Sequence, residues 1–513
     1  VKRLFNNTLI TFVDYGVLIG LNLAATPLLI ANFGIDGYGA FVFLTIFSIY
    51  GALAVFDLGM EGALMNYIAR FQASGDRRRM HDALTVSLVY YSGIGLVLGV
   101  GIYFGGGLLA SRLLGDGAAI EPETVYNAIA LVAVNIVFQF VNMPLTATLQ
   151  GMRRYVATKT VNSVMNIIRY VLVVAVAVMY HRIDAGFAVV LALTIVRQVA
   201  LAYLLLFRVP DFAGWRPHLD LSLFRRLFNY SSILFVTRII GLVHNQMPKV
   251  LIWYYLPVAS MTVFDVVARP AMLVRVIMGT VVSAIIPEAA QLHQRGEKAK
   301  IRWLYLSLIR YTYLIILPIL AVLFVYIHDF MRLWVGAELA EHAYLSLILL
   351  AGYLILPAPT VANTMVVGLE KVRQTIWIPI VGTTLNLVVS VVLLQVVGLA
   401  GLLLGTLVSQ LFTLIPYVRF MKRFTEFSYS DLVLPLAPAL LVALGSSVLN
   451  LGVRTIFGND IWILAAGVFV TLGTNYFINV RFLLKSDERA FLADRLARLR
   501  GAILPNGRDN QAV

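Results

Sequence analysis

The chain has 513 residues, of which 60% are hydrophobic and 13% charged, with a net charge of +14 and no cysteine. A soluble domain carries about 25% charged residues, so a soluble globular fold is excluded; the missing cysteine excludes disulfides, thiolate catalysis and cysteine metal centres. The mean hydropathy of +0.86 describes a chain whose solvent is the bilayer.

Apolar runs of about 20 residues separated by short polar loops predict an all-α integral membrane protein with about fourteen transmembrane helices. The spans fall near 7–31, 39–67, 83–110, 125–150, 157–180, 185–207, 230–255, 260–287, 303–328, 342–367, 375–397, 399–418, 432–452 and 461–484. The first run reaches full length with no small-residue cleavage site, so it reads as a span and not a signal peptide. Loops alternate in charge. One set holds "RFQASGDRRRMHDA", "GMRRYVATK", "RGEKAKIR" and "RFMKRF"; the other holds Arg112, Arg182, Arg332 and Arg454 and no lysine. The positive-inside rule then places both termini and the basic loops in the cytoplasm. The +14 is therefore an orientation signal, and no base-reading or stacking surface points to nucleic acid.

The chain repeats itself. Pro27 in span 1 matches Pro248 in span 7; the exit "QGMRRYVATKT" of span 4 matches "VGLEKVRQTI" after span 10; "TIVRQ" at 194–198 matches "TLVSQ" at 406–410. Six spans per copy give parallel repeats with a site expected between them near the midplane. The expected organisation is an N-terminal lobe 1–207, a cytoplasmic amphipathic linker 208–229, a C-terminal lobe 230–421, helices 13 and 14 within 422–484, and a basic tail 485–513. Two pseudo-symmetric six-helix bundles would enclose a central cavity. The segments 218–231 and 486–500 pattern as amphipathic interfacial helices.

Seven bases lie within spans: Arg169, Arg197, Arg238, Lys249, Arg269, Arg275 and Arg310. A charge at the bilayer centre costs at least ~2.5–3.5 kcal/mol, so each needs a partner, water or an interface. Ser231, Arg238, Asn245 and Lys249 fall on one stripe of span 7. Asn135, Gln139, Asn142 and Thr146 form a stripe in span 4; Asn162, Asn166 and Arg169 form one in span 5. Such stripes fit a hydrated cavity for a hydroxyl-rich ligand; interhelical hydrogen bonding is the competing reading. Asp265 and Arg269, at i and i+4, form an intrahelical pair. Arg275 points elsewhere around the helix and needs a partner from another helix or an anionic ligand. Asp57 and Glu61 are also i, i+4, expected to neutralise cavity arginines as a gate or to hold a proton or Na⁺; Asp265 joins them as a candidate for gating or ion coupling. The remaining intramembrane acid is Asp14. There is no phosphate-binding GxxxxGK[ST] loop, no catalytic constellation and no metal site. His81, His181 and His218 read as surface histidines.

The stretch "GIDGYGAFVFLTIFSIYGALAVFDLGMEGALMNYIARFQASGD", with its glycine–aromatic approach, "DLG" and basic exit, resembles the span 1–2 region of bacterial Wzx-type polysaccharide flippases. These belong to the multidrug/oligosaccharidyl-lipid/polysaccharide (MOP) exporter superfamily. "ARPAMLVRVIMGTVVSAIIPEAAQL" is similar to that family's arginine-bearing eighth span. Glu61 and Asn66 depart from the family's small or polar residue and its arginine. The resemblance implies a non-enzymatic flippase of the bacterial inner membrane. Its cargo would be an undecaprenyl-diphosphate-linked oligosaccharide, as for O-antigen, moved to the outer leaflet by alternating access. A polysaccharide polymerase and a chain-length regulator are candidate partners beside membrane lipids.

A cationic cavity suits that cargo: Arg238, Lys249, Arg269 and Arg275 receive the diphosphate, while the first lobe supplies Arg169, Arg197 and the neutral hydrogen bonders. No cofactor is expected, because the membrane potential supplies about 2.3 kcal/mol per charge per 100 mV, with proton or Na⁺ coupling as an addition. A lipid II flippase is the nearest alternative. A cation-coupled drug antiporter should have an acid-dominated lumen, and a glycan polymerase or ligase needs larger outer loops.

Overall fold

The computed structural model describes residues 2–48, 51–115, 119–283, 286–457 and 461–483, and no strand occurs among them. The helices are α1 (Lys2–Leu44), α2 (Met60–Ser74), α3 (Arg77–Phe104), α4 (Gly106–Leu113), α5 (Pro122–Gly151), α6 (Tyr155–Tyr180), α7 (Ile183–Arg208), α8 (Leu221–Tyr255), α9 (Ala259–Ser283), α10 (Ile286–Gln294), α11 (Lys298–Val335), α12 (Ala337–Ala340), α13 (Ala343–Ile355), α14 (Pro357–Gly368), α15 (Val372–Thr375), α16 (Trp377–Val397), α17 (Leu399–Thr425), α18 (Tyr429–Val433), α19 (Ala437–Phe457) and α20 (Ile461–Ile478). Nine described helices are long and apolar enough to cross a membrane, and the pair α13–α14, bent by 51°, makes a tenth. The protein is a multi-pass membrane protein.

The elements differ from the expected spans where backbone geometry overrules hydropathy. Span 2 was expected to be continuous over 39–67. Instead α1 ends at Leu44, a 3₁₀ turn covers Ala52–Asp57, and α2 starts at Met60. Leu58 (φ 50) and Gly59 (φ 80) are both left-handed, and no α-helix passes through two such residues. Span 10 bends where Pro357 opens α14. The amphipathic segment 218–231 is not a separate surface helix: α8 begins at Leu221 and runs unbroken through span 7. Asp220 caps it, accepting from the Ser222 and Leu223 backbone N–H groups at 2.9 and 3.2 Å. The Ser222 hydroxyl, first, and these amides hold the Asp220 carboxyl below the usual range. The tail 486–500 lies outside the described residues.

Two compact units divide the chain. The first contains the residues up to Arg269 with Trp334–His342 and Pro379–Ser409; the second contains Pro270–Leu333, Ala343–Ile378 and the described residues from Gln410 onward. In the first, α5 is the central helix, packed on α2, α3 and α7. It buries Asn135, Gln139 and Asn142 among Ile136, Phe140 and Met143. In the second, α11 builds the core with Tyr305, Ile309, Ile316 and Leu320 against Leu350, Val361, Met365 and Met421. In lipid such contacts stabilise by packing and not by removal from water.

Intrahelical prolines leave carbonyls without their usual amide donor, and distant side chains supply one. Pro27 frees the carbonyl of Leu23, which accepts from Trp334 Nε1 at 2.7 Å within the first unit. Pro318 frees that of Leu314, which accepts from Asn479 Nδ2 at 3.3 Å within the second.

The corners after α5 and α14 are copies. At the first, Met152, Arg153 and Arg154 donate backbone N–H groups to the carbonyls of Thr148, Gln150 and Leu149. At the second, Leu369, Glu370 and Lys371 donate to Met365, Val367 and Val366. This is a Schellman motif, whose left-handed position glycine usually occupies. Here Arg153 (φ 58) and Glu370 (φ 57) occupy it, each at a cost of about 1–2 kcal/mol. Two residues earlier, Gly151 and Gly368 let each corner press on a neighbouring helix. A Cβ on Gly151 would stand 2.8 Å from the Met65 carbonyl oxygen and 2.9 Å from Ile68 Cβ. One on Gly368 would stand 2.7 Å from the Ile286 carbonyl oxygen and 2.9 Å from Ala289 Cβ.

Candidate transport cavity

Within the first unit, α2, α5, α6, α7, α8 and the 3₁₀ turn enclose a cavity of about 370 Å³. Its polar lining is Asp57, Glu61, Asn142, Thr146, Asn162 and Arg197; Ala54, Met143, Gly241 and Leu242 complete the wall. Six separate segments thus converge on a space within the 300–1,000 Å³ typical of small-ligand sites. Asn142 and Thr146 come from one face of α5, four residues apart, as the stripe in span 4 predicts.

Asn142 donates through Nδ2 to the Thr194 carbonyl at 3.4 Å, while its Oδ1 is buried without a hydrogen-bond partner among the described residues. Arg197 Nε is likewise buried and unpartnered. A buried polar group left without a partner costs about 1–3 kcal/mol, so these two side chains of the cavity wall carry unmet hydrogen-bonding capacity.

Asp57 departs from its expected geometry. It is not one helical turn before Glu61, because Leu58 and Gly59 break the chain between them. Its carboxylate accepts from the Gly59 and Glu61 backbone N–H groups at 3.2 and 3.0 Å and from the Tyr91 hydroxyl. At 1% exposure it seats the start of α2, where a negative charge also meets the positive helix end. Glu61 lines the same cavity from the first turn of α2.

A second group of the predicted residues meets where α1, α8 and α9 approach in the same unit. Arg269 Nη2 donates to Asp265 Oδ2 at 2.6 Å and Nε to the same oxygen at 3.1 Å. The Tyr38 hydroxyl of α1 donates to Asp265 Oδ2 at 2.8 Å and accepts from Arg269 Nη2 at 3.0 Å. Lys249 acts electrostatically on Asp265 and on Arg269. The expected i, i+4 pair therefore exists, with a tyrosine added from 227 residues away.

The other predicted residues are dispersed. Asn135 and Gln139 are buried along α5, with Asn135 Oδ1 unpartnered; neither lines the cavity. Asn166 is half-buried on α6. Arg169 lies 5.1 Å from the ring centre of Tyr170. Asn245 is exposed and donates to the Gly241 carbonyl of its own helix at 2.7 Å. Arg275 is exposed, belongs to the second unit and acts on Tyr353 electrostatically. The side chains of Asp14, Ser231 and Arg238 lie outside the described residues.

Sequence reasoning missed Tyr38 and Tyr91, because tyrosine counts as apolar in a hydropathy reading. The available signal was a phenol within a span that also carries a carboxylate. Among the described residues no group of three or more His, Asp or Glu side chains is placed to hold a metal ion.

Three comparisons place these features among known proteins. A family described as "Polysaccharide biosynthesis protein" matches residues 72–343, more than half of the chain. A protein of Haloferax volcanii described as "Probable low-salt glycan biosynthesis flippase Agl15" is 24% identical over 211 residues. That match covers 40% of this chain and 44% of the relative, so the chain spans less than half of that protein's length. Among solved structures, the lipid II flippase MurJ in an inward closed conformation aligns with a TM-score of 0.71 at 14% identity, covering 93% of this chain and 100% of that one. An inward-facing multidrug resistance MATE family transporter of the MOP superfamily aligns with a TM-score of 0.63 at 15% identity, covering 80% of this chain and 94% of the other. At these identities the likeness is one of fold, shared with the MurJ and MATE transporters.

Proposed function

The chain belongs to the polysaccharide biosynthesis protein family, and from that premise we propose that it is a flippase for an undecaprenyl-diphosphate-linked oligosaccharide. The cargo moves from the cytoplasmic to the outer leaflet of the bacterial inner membrane by alternating access. One observation carries the reading. A cavity walled by membrane helices presents Asn142, Thr146, Asn162 and Arg197, two of them with a buried atom awaiting a partner. Sugar hydroxyls, which donate and accept, suit that lining; a polyprenyl tail has no use for it and stays in lipid.

The diphosphate falls to the cations. Arg197 stands at the cavity itself; Arg238, Lys249, Arg275 and Arg169 are the further cations assigned to the diphosphate. Arg269 has the smallest share, because Asp265 and Tyr38 already engage it. Coupling to a proton or Na⁺, or neutralisation of cavity arginines, is assigned to Glu61 in preference to Asp57, whose carboxylate seats α2. Movement uses lobes 1–207 and 230–421, linked by 208–229, with 422–484 and the basic tail 485–513 outside the moving pair. Both termini are cytoplasmic, and a polymerase and a chain-length regulator take up the product.

The test is translocation in reconstituted vesicles. It offers a fluorescent undecaprenyl-diphosphate oligosaccharide, lipid II and a cationic dye in separate arms. The oligosaccharide should cross, and Asn142→Ala and Arg197→Ala should each slow it about tenfold, the loss of one hydrogen bond of about 1–1.5 kcal/mol. Transport of lipid II or dye without the oligosaccharide, or an unslowed double variant, overturns the reading.

A further inference from the structure

Four helix ends meet at one end of the first unit: the last turn of α2, the end of α5, the start of α6 and the end of α7. They surround a second cavity of about 320 Å³, lined by Gln72, Met152, Arg153, Arg154 and the turn Val209–Asp211. No residue lines both this cavity and the one described above.

Its charge is unbalanced. Neither Arg153 nor Arg154 makes an ion pair among the described residues. The single carboxylate of the wall, Asp211, is engaged by Arg77 Nε at 3.0 Å. The Asp211 carbonyl accepts from His81 Nε2 at 2.8 Å, which holds the turn against α3. Two adjacent arginines, both exposed, thus line this cavity without an ion-pair partner among the described residues. The arginine at 153 is not required to build the corner, because the copy at Glu370 adopts the same backbone with the opposite charge. Met152, Val209 and Pro210 make the remaining wall apolar.

Paired arginine forks match the oxygens of a phosphate. A basic pocket between the ends of membrane helices, with an apolar wall, matches a phosphate carried by a lipid. The positive-inside rule assigns this end to the cytoplasmic leaflet. We propose that this cavity is a binding site for the phosphoryl head of a membrane lipid, held by Arg153 and Arg154. The phosphate has two possible sources, a glycerophospholipid of the bilayer or a polyprenyl diphosphate. The site stands whether or not the transport reading does.

The experiment measures lipid retained by the full-length protein from neutral detergent, using native mass spectrometry. Phosphatidylglycerol and undecaprenyl diphosphate are offered in separate arms, and pyrophosphate serves as competitor. Arg153→Gly keeps the left-handed backbone and Arg154→Gln keeps a polar side chain, so the double variant should not fall in thermal midpoint. It should retain at least about tenfold less lipid than the wild type, the scale of one charged hydrogen bond. Pyrophosphate should displace the wild-type lipid. Retention in the phosphatidylglycerol arm identifies a bilayer lipid, and retention confined to the other arm identifies a polyprenyl diphosphate; either supports the site. Arg77→Gln, which uncovers Asp211, should also weaken retention, and adding Asp211→Asn should restore it. Equal retention by the wild type and the double variant, or no retention in either arm, overturns the proposal.

Discussion

The corners at 151–154 and 368–371 share a backbone and differ in charge. Both end a helix with the same three amide bonds, both place a non-glycine residue in the left-handed region, and both use a glycine to touch a helix. The touched residues, Met65 and Ile68 in one and Ile286 and Ala289 in the other, stand 221 residues apart, while the glycines stand 217 apart. At the left-handed position, however, the first copy has Arg153 and the second Glu370. The two corners agree in what the chain needs in order to turn and differ in what the turn displays. Backbone geometry belongs to the fold, and charge is free to serve each copy separately.

That division fails most sharply where charge itself is structural. Asp265 and Arg269 have side chains only 17% and 14% exposed. Asp265→Asn leaves a buried cation without its partner, and a loss of about 3–5 kcal/mol is expected. Asp265→Asn with Arg269→Gln should recover most of it. Thermal unfolding in detergent decides; a single variant as stable as the double would place this pair among the displayed charges.

A smaller loss tests the equivalence of the corners. Gly151→Ala and Gly368→Ala each drive a Cβ against a backbone carbonyl, and each should cost about 1–3 kcal/mol. The two shifts in thermal midpoint should agree in size. If only one glycine responds, the corners are alike in outline and not in packing.

The third effect has the opposite sign. Arg153→Gly and Glu370→Gly relieve a left-handed side chain, offset partly by glycine's greater freedom when unfolded. A net gain of about 0.5–1 kcal/mol is expected at both. Hydrogen exchange at the following helix start, α6 or α15, reads this locally.

The smallest effect separates charge from geometry by pH. Asp220 has a lowered folded-state pKa, so its cap on α8 is complete above the ordinary carboxylate value of about 3.9. The contribution is lost as pH falls through the folded value. Asp220→Asn should therefore differ from the wild type at neutral pH and converge with it in acid, whereas Gly151→Ala should differ from the wild type equally at both. A gap at Asp220 that is the same at pH 7 and pH 3 would assign this cap to geometry as well.

The membrane class and most helices were legible because apolar length is local. The Asp265–Arg269 pair was legible because both residues lie on one helix. Asn142, Asn162 and Arg197 were legible as polar positions in spans, but their convergence was not, since three helices must pack to bring them together. The break before α2 was hidden because "GALAVFDLGMEG" is apolar enough for a span, and hydropathy carries no sign of φ. Tyr38 and Tyr91 were hidden for a related reason: each hydroxyl's partner is set by tertiary contact. Arg153 looked like one more orientation charge, and only the turn at Val209–Asp211 makes it the wall of a cavity.

The Trp334 indole bonded to the Leu23 carbonyl makes the position of α1 observable. That carbonyl lacks its helical donor because Pro27 has no amide hydrogen. Any rearrangement that draws this stretch of α1 from Trp334 separates the two groups, and the indole loses this acceptor. Its emission changes with that loss. In a variant keeping Trp334 as its single tryptophan, the first helix would report its own posture as colour, with no label attached.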